Sequence, residues 1–165
     1  DSAEVSGIKR LLQRDILDRR MRYDLITLLC TNFFSSKDID EFTKGLYLSH
    51  AEIMNLSRRH VVAAHGNNHD WLASLSIDDQ KADITQSILS IDKVCDHQKQ
   101  ISWYSYPYGS YNQDTISIMQ GMRIDYAFTT NWGISQMNQG CHSLSRWDTN
   151  HFWSSEHNKP CLPKL

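Results

Sequence analysis

His65 and His69 are the two groups in this chain whose type and spacing best suit chemistry. They close the stretch Val61-Val62-Ala63-Ala64-His65-Gly66-Asn67-Asn68-His69. Imidazoles at i and i+4 can face one point if the chain between them makes a helical turn. Neutral imidazoles are common ligands of transition metals. Gly66 allows a close backbone approach, and Asn67 and Asn68 tolerate tight turns. A catalytic divalent ion takes a third protein ligand and keeps a position for water, whose pKa falls from about 15.7 towards about 7. The structural alternative is that one His caps a helix and the other lies on the surface.

Two further clusters have chemical potential. Tyr106-Pro107-Tyr108-Gly109-Ser110-Tyr111-Asn112 surrounds a Pro-Gly turn with aromatics. Tyr106 and Tyr108, with Trp132 from the later turn Asn131-Trp132-Gly133, could form a sugar-stacking wall, or the tyrosines could pack a strand–helix corner. In Ser145-Arg146-Trp147-Asp148-Thr149-Asn150-His151, Arg146 and Asp148 are two apart and point the same way from an extended strand. The Arg could hold a carboxylate while the Asp serves as ligand or base, or the two could form an ordinary ion pair.

These groups need elements to hold them. The apolar run at 60–64 predicts a strand buried on both faces, hence of parallel type. Residues 4–34 read as one helix, with Ile8, Leu11, Leu12, Ile16 and Leu17 on an apolar face that Leu25, Ile26, Leu28 and Leu29 continue. Its arginines interleave with Asp15, Asp18 and Asp24, which suits a solvated face with ion pairs better than an anion-binding surface. Ser35 to Asp38 interrupts the pattern, and a short helix through Ile39, Phe42 and Leu46 follows. Ser49 and Glu52 form a capping box, and Ser76 with Asp79 a second. The second opens an amphipathic helix of about 18 residues carrying Ile84, Ile88, Ile91 and Cys95. Strands are expected at Ile101–Tyr106, Asp125–Thr130 and Cys141–Arg146, with a helix capped by Asn112 between the first two.

Strands alternating with helices imply an α/β fold with parallel strands. Their following loops then share one end of the sheet, and these loops carry His65 to His69, Pro107 to Tyr111, Thr130 to Trp132 and Arg146 to Asp148. The expected organisation is an N-terminal helical segment at 1–45 and an α/β portion at 46–165, together one domain.

Lys and Arg number 17 against 19 Asp and Glu, so the net charge of -2 makes no case for nucleic acid or an anionic membrane. No apolar run is long enough to span a bilayer, and the opening residues show no signal-peptide pattern. The cysteines at 30, 95, 141 and 161 form no CxxC pair, which excludes a zinc ribbon and suits reduced thiols in the cytoplasm.

Taken together, these residues resemble the polysaccharide deacetylases of carbohydrate esterase family 4. His65-Gly66-Asn67-Asn68-His69 is similar to that family's His-(Ser/Thr)-x-x-His motif, and Leu72-x-x-Leu75-Ser76 to its continuation into a helix. Tyr106-Pro107-Tyr108-Gly109, Asn112 and Asp125-Tyr126-Ala127-Phe128-Thr129-Thr130 resemble the third motif and the next strand. Leu144 to Asn150 resembles the closing strand of bacterial members from surface-polysaccharide gene clusters. The resemblance covers roughly residues 46–152. It implies part of a distorted (β/α)7 barrel and removal of N-acetyl groups from a sugar or polysaccharide. It also implies a divalent metal on His65 and His69, Zn²⁺ first with Co²⁺ or Ni²⁺ as alternatives, and a Tyr108 backbone N–H aimed at the oxyanion.

The sequence departs from the family in four places. The Asp-Asp pair of the family's first strand has no counterpart. Ser105 stands at the usual third-motif Arg, which Arg146 could replace, and Gly66 stands at the usual Ser or Thr. The late catalytic His has only His142 and His151 as candidates. Two explanations fit: a missing N-terminal portion carrying both Asp residues, as the Asp1 start permits, or an inactive homologue serving as a carbohydrate-binding or assembly subunit. A partial barrel would expose a sheet edge, so self-association into a homo-oligomer is expected.

Overall fold

The computed structural model describes residues 2–15, 18–95, 101–136 and 139–148. The chain divides into two compact units, one ending at Asn55 and the other beginning at Leu56.

The first unit is helical. α1, Ala3–Arg10, is capped by the Ser2 side chain and runs into a π-helical turn at Leu11–Asp15. α2, Arg19–Phe33, starts at Asp18, whose carboxylate accepts from the Met21 N–H at 2.7 Å. Asp18 is thus a cap, so the single helix expected over 4–34 is at least two. The residue that looked like a surface partner for arginine instead satisfies an orphan amide at a helix start. α3, Ser36–Leu46, opens on a capping box of Ser35 and Asp38. α4, His50–Ser57, follows Ser49, whose hydroxyl and amide both bond to Glu52 as the sequence predicts. These hydrogen bonds hold the exposed Asp38 and Glu52 carboxyls below their usual pKa. No residue described in α1 to α4 is buried. Of the apolar stripe expected to pack, Ile8, Leu11, Ile26, Leu28 and Leu29 are exposed and Leu12 and Leu25 half-buried, while Ile16 and Leu17 lie outside the described residues.

The second unit is α/β. β1, Trp103–Ser105, and β2, Tyr126–Phe128, pair in parallel with Tyr104 opposite Ala127. Ala64 joins β1 by a parallel bridge, and Leu144 joins β2 by another. The order across the sheet therefore follows the sequence. α5, Ile77–Asp92, lies in the first connection and α6, Gln113–Gly121, in the second. α5 begins at its predicted Ser76 cap and α6 at its predicted Asn112 cap.

Two expected strands are reduced to single bridges. Only Ala64 of the 60–64 stretch is fully buried, while Val61 is 64% exposed, which corrects the expectation of a strand covered on both faces. Apolar composition marked the segment, but its extent depends on neighbours that sequence pattern does not supply. At the other edge, Leu144 donates to the Ala127 carbonyl and accepts from Thr129, and regular pairing goes no further.

Leu72, Ile84, Ile88, Ile101, Tyr104, Tyr106, Met119, Ile124 and Ala127 form the core. Inside it, the Thr115 hydroxyl on α6 donates to Gln80 Oε1 on α5 at 2.6 Å, so the two crossover helices share a buried bond as well as apolar contact. Because the pairing is parallel, the loops after Ala64, β1, β2 and Leu144 leave the same end of the sheet, as the element order predicts.

Candidate functional site

The loop leaving Ala64 carries both histidines. Gly66 has φ +78°, and a Cβ there would lie 2.9 Å from Pro107 Cγ and 3.2 Å from Asp83 Oδ1. The loop ends on His69 at φ 55°, a left-handed conformation that costs a non-glycine residue energy and persists only where the surroundings impose it. Asp83 of α5 is one such constraint. It is 3% exposed, and its carboxylate accepts from Asn67 N and Asn68 N, each at 3.0 Å, and from Asn68 Nδ2 at 2.9 Å.

This turn brings the two imidazoles together. His65 Nδ1 lies 2.7 Å from the Ser105 carbonyl, which can only accept, so Nδ1 carries the proton. The lone pair of the neutral ring is then on Nε2, which lies 3.2 Å from His69 Nε2. Two nitrogens on one tetrahedral zinc, each about 2.0–2.1 Å from the ion, stand about 3.3 Å apart. The His65–His69 spacing fits two such ligands, and the Ser105 carbonyl is the kind of outer partner that fixes a ligating histidine's tautomer. Among the described residues, no third His, Cys, Asp or Glu completes a metal-binding group with them.

The loop after β1 forms a second wall. Pro107–Gly109 makes a 3-10 turn in which Tyr108 takes φ 56°, and Gly109 takes φ +68° where a Cβ would overlap Thr130. Tyr108 packs edge-on to His69 at 4.6 Å and stacks on Trp71 at 4.7 Å with an interplanar angle of 7°. Ser110 Oγ accepts from Ala73 N at 3.1 Å and ties the two loops.

The remaining predicted residues fall into three groups. Tyr106 is fully buried: its ring stacks on Tyr111 and its hydroxyl donates to the His142 carbonyl at 2.9 Å. This corrects its expected place on a substrate wall, since pleat alternation put Tyr104 and Tyr106 on the core side. Burial pushes both hydroxyls above the ordinary tyrosine range, so neither ionises near neutrality. Trp132 is exposed and meets Trp147 edge-to-face at 5.7 Å. Arg146 and Asp148 are exposed at the same sheet end, where the Arg146 amide donates to the Asn131 carbonyl. His142 Nε2 lies 2.7 Å from the Ile124 carbonyl, a structural bond, and His151 is outside the described residues.

Asp83 and Trp71 belong to this site and were not anticipated. Asp83 had a signal in the sequence. With Gln80 and Ser87 it forms a polar strip beside Ile84 and Ile88 on the buried face of an amphipathic helix, where an unpaired carboxylate would be costly.

The profile of the polysaccharide deacetylase family matches residues 28–127. The chain belongs to the polysaccharide deacetylase family. This deacetylase-family chain is similar to the Streptococcus pyogenes deacetylase PplD, whose structure was determined in complex with acetate. The two are 27% identical with a TM-score of 0.55 over 60% of this chain and 43% of that one. The deacetylase domain of BpsB from Bordetella bronchiseptica shares the fold at 16% identity and a TM-score of 0.53, over 61% of this chain and 48% of that domain. The chain thus spans less than half of either structure. No curated protein matches it.

Proposed function

We propose that the protein removes N-acetyl groups from a sugar or polysaccharide by hydrolysis, with His65 and His69 holding a divalent metal, Zn²⁺ first among those that suit two imidazoles. The observation that carries this reading is the 3.2 Å convergence of the two Nε2 atoms within a chain of this family. A bound divalent ion would supply a water acidic enough to be hydroxide near neutrality and would polarise the acetyl carbonyl.

The other roles belong to the chain itself. The Ser105 carbonyl fixes the His65 tautomer with its lone pair on the metal side. The left-handed turn at Tyr108 presents a backbone N–H proposed as the oxyanion donor; such a donor is worth about 2.7–4 kcal/mol of barrier. The Tyr108–Trp71 stack and the exposed Trp132 offer apolar ring surface beside the histidines and at the same sheet end, suited to the C–H faces of a pyranose. Arg146 and Asp148 follow the last bridge at that end, where Asp148 is the proposed base and Arg146 its electrostatic partner. On this reading, the parallel strands form part of a (β/α)7 barrel.

The deciding experiment is acetate release from N-acetylated oligosaccharides by the full-length protein, with and without a chelator, alongside His65→Ala and His69→Ala. Release that the chelator stops and both variants lack is expected. No release with any added divalent ion, or undiminished release and metal content in both variants, would overturn the proposal. Sugar binding without release would point to a carbohydrate-binding subunit.

A further inference from the structure

We infer that Asp83 is the positioning residue of the two-histidine loop: its buried carboxylate, rather than a side chain at position 66, sets the turn that brings the imidazoles to one point. The turn is hard to hold by itself. It has left-handed backbone at both ends, at Gly66 and His69. Between them, the amides of Asn67 and Asn68 both donate to Asp83 and to no backbone acceptor within the turn. Gly66 has no side chain to contribute, and Pro107 and Asp83 fill the space where one would go.

Asp83 is suited to this task because its own position is fixed. It stands on α5, which is held by the Ser76 cap, the Gln80–Thr115 bond and the burial of Ile84 and Ile88. One oxygen serves Asn67 while the other takes both Asn68 donors, so three hydrogen bonds converge on a single carboxylate. Hydrogen bonds to a charged acceptor are shorter and stronger than neutral ones. The Tyr104 hydroxyl is buried close to the Gly66 backbone and Asp83. Asp83 thus anchors the middle of the loop, while the His65 bond to the Ser105 carbonyl anchors its start. The carboxylate acts through the backbone between the two histidines, at Asn67 and Asn68.

The test compares the wild-type full-length protein with Asp83→Asn, which replaces one acceptor oxygen by a donor facing other donors, and with Ile88→Ala, which weakens the core on the same helix. Asn68→Ala deletes one of the three bonds at an exposed position and keeps the protein folded. The readouts are Co²⁺ affinity by titration, amide exchange at Asn67 and Asn68, and the imidazole NMR signals of His65 and His69. Asp83→Asn should weaken Co²⁺ binding about 10- to 100-fold, the usual effect of losing an outer partner of a metal ligand. It should also accelerate exchange at both amides and shift both imidazole signals. Asn68→Ala should show a smaller loss of affinity, and Ile88→Ala should keep the wild-type affinity despite a lower melting point. Equal losses in Asp83→Asn and Ile88→Ala would overturn the inference, as would unchanged affinity with unchanged exchange in Asp83→Asn. The metal readout rests on the proposed function and the other two do not. Should the wild-type bind no metal, that function falls and the amide exchange and imidazole signals alone decide the role of Asp83.

Discussion

Replacing Gly66 by Ser would restore the residue type that the family's histidine motif carries, yet the structure predicts that this damages the protein. Gly66 sits at φ +78°, and an added Cβ would come within 2.9 Å of Pro107 Cγ and 3.2 Å of Asp83 Oδ1. A left-handed conformation costs a residue with a Cβ about 1–2 kcal/mol. Forcing extra atoms against a packed neighbour adds about 1–3 kcal/mol, less whatever the loop recovers by shifting. Pro107 yields little, because its ring is rigid and the residue is buried. The expected loss for Gly66→Ala or Gly66→Ser is therefore about 2–4 kcal/mol. The lower end corresponds to a fall in Tm of roughly 8 °C or more for a unit of this size. Gly121→Ala is the control in the same unit: it ends α6 with no positive φ and nothing within 4 Å of the added Cβ. It should be neutral or stabilising by up to about 1 kcal/mol. Chemical denaturation of the three variants gives the comparison. A change below about 0.5 kcal/mol in Gly66→Ala, the range of an unremarkable surface substitution, would refute the left-handed, Pro107-packed geometry of this loop.

Other expectations concern the buried tyrosines. Tyr104→Phe should leave stability unchanged or raise it, because the hydroxyl is buried with no hydrogen-bond partner among the described residues and burying such a group costs about 1–3 kcal/mol. A loss above about 1 kcal/mol in the urea midpoint would show that the hydroxyl makes a bond after all. Alkaline pH should unfold the protein. Burial raises the Tyr104 and Tyr106 pKa values above that of an unfolded tyrosine, near 10. Their contribution is thus fully present below about pH 10 and is lost as pH rises towards the folded values, since only the unfolded chain gives up the protons. Phenolate absorbance followed against far-UV circular dichroism should show these two titrating together with unfolding. Their titration in the folded state just above pH 10 would refute the burial.

Much of this architecture was legible in local sequence. The caps at Ser49, Ser76 and Asn112 follow from side-chain oxygens that reach amides two or three residues on, and such bonds need no distant partner. The parallel α/β order followed from alternation of strand-like and helix-like segments, and with it the gathering of four loops at one sheet end. The resemblance of the histidine and Tyr-Pro-Tyr-Gly motifs to polysaccharide deacetylases agreed with the family match. Misreadings arose where a residue's role depends on what lies across from it. Asp18 ends up as a cap within an expected continuous helix, and Val61 stays exposed in an expected buried strand.

By itself, the sequence determined that His65 and His69 follow an apolar stretch with a glycine and two asparagines between them, because motif and spacing are properties of a single segment. Only the tertiary structure decided how those rings meet. His65 takes its tautomer from a carbonyl 40 residues away, and the loop takes its shape from a carboxylate on α5. Tyr108 and Trp71 become one aromatic wall only because two loops converge. The structure also moved Tyr106 from the expected wall into the core, where its ring packs on Tyr111. A chain's pattern names the groups that can bind or react, but their mutual distances depend on long-range packing, which no local pattern encodes.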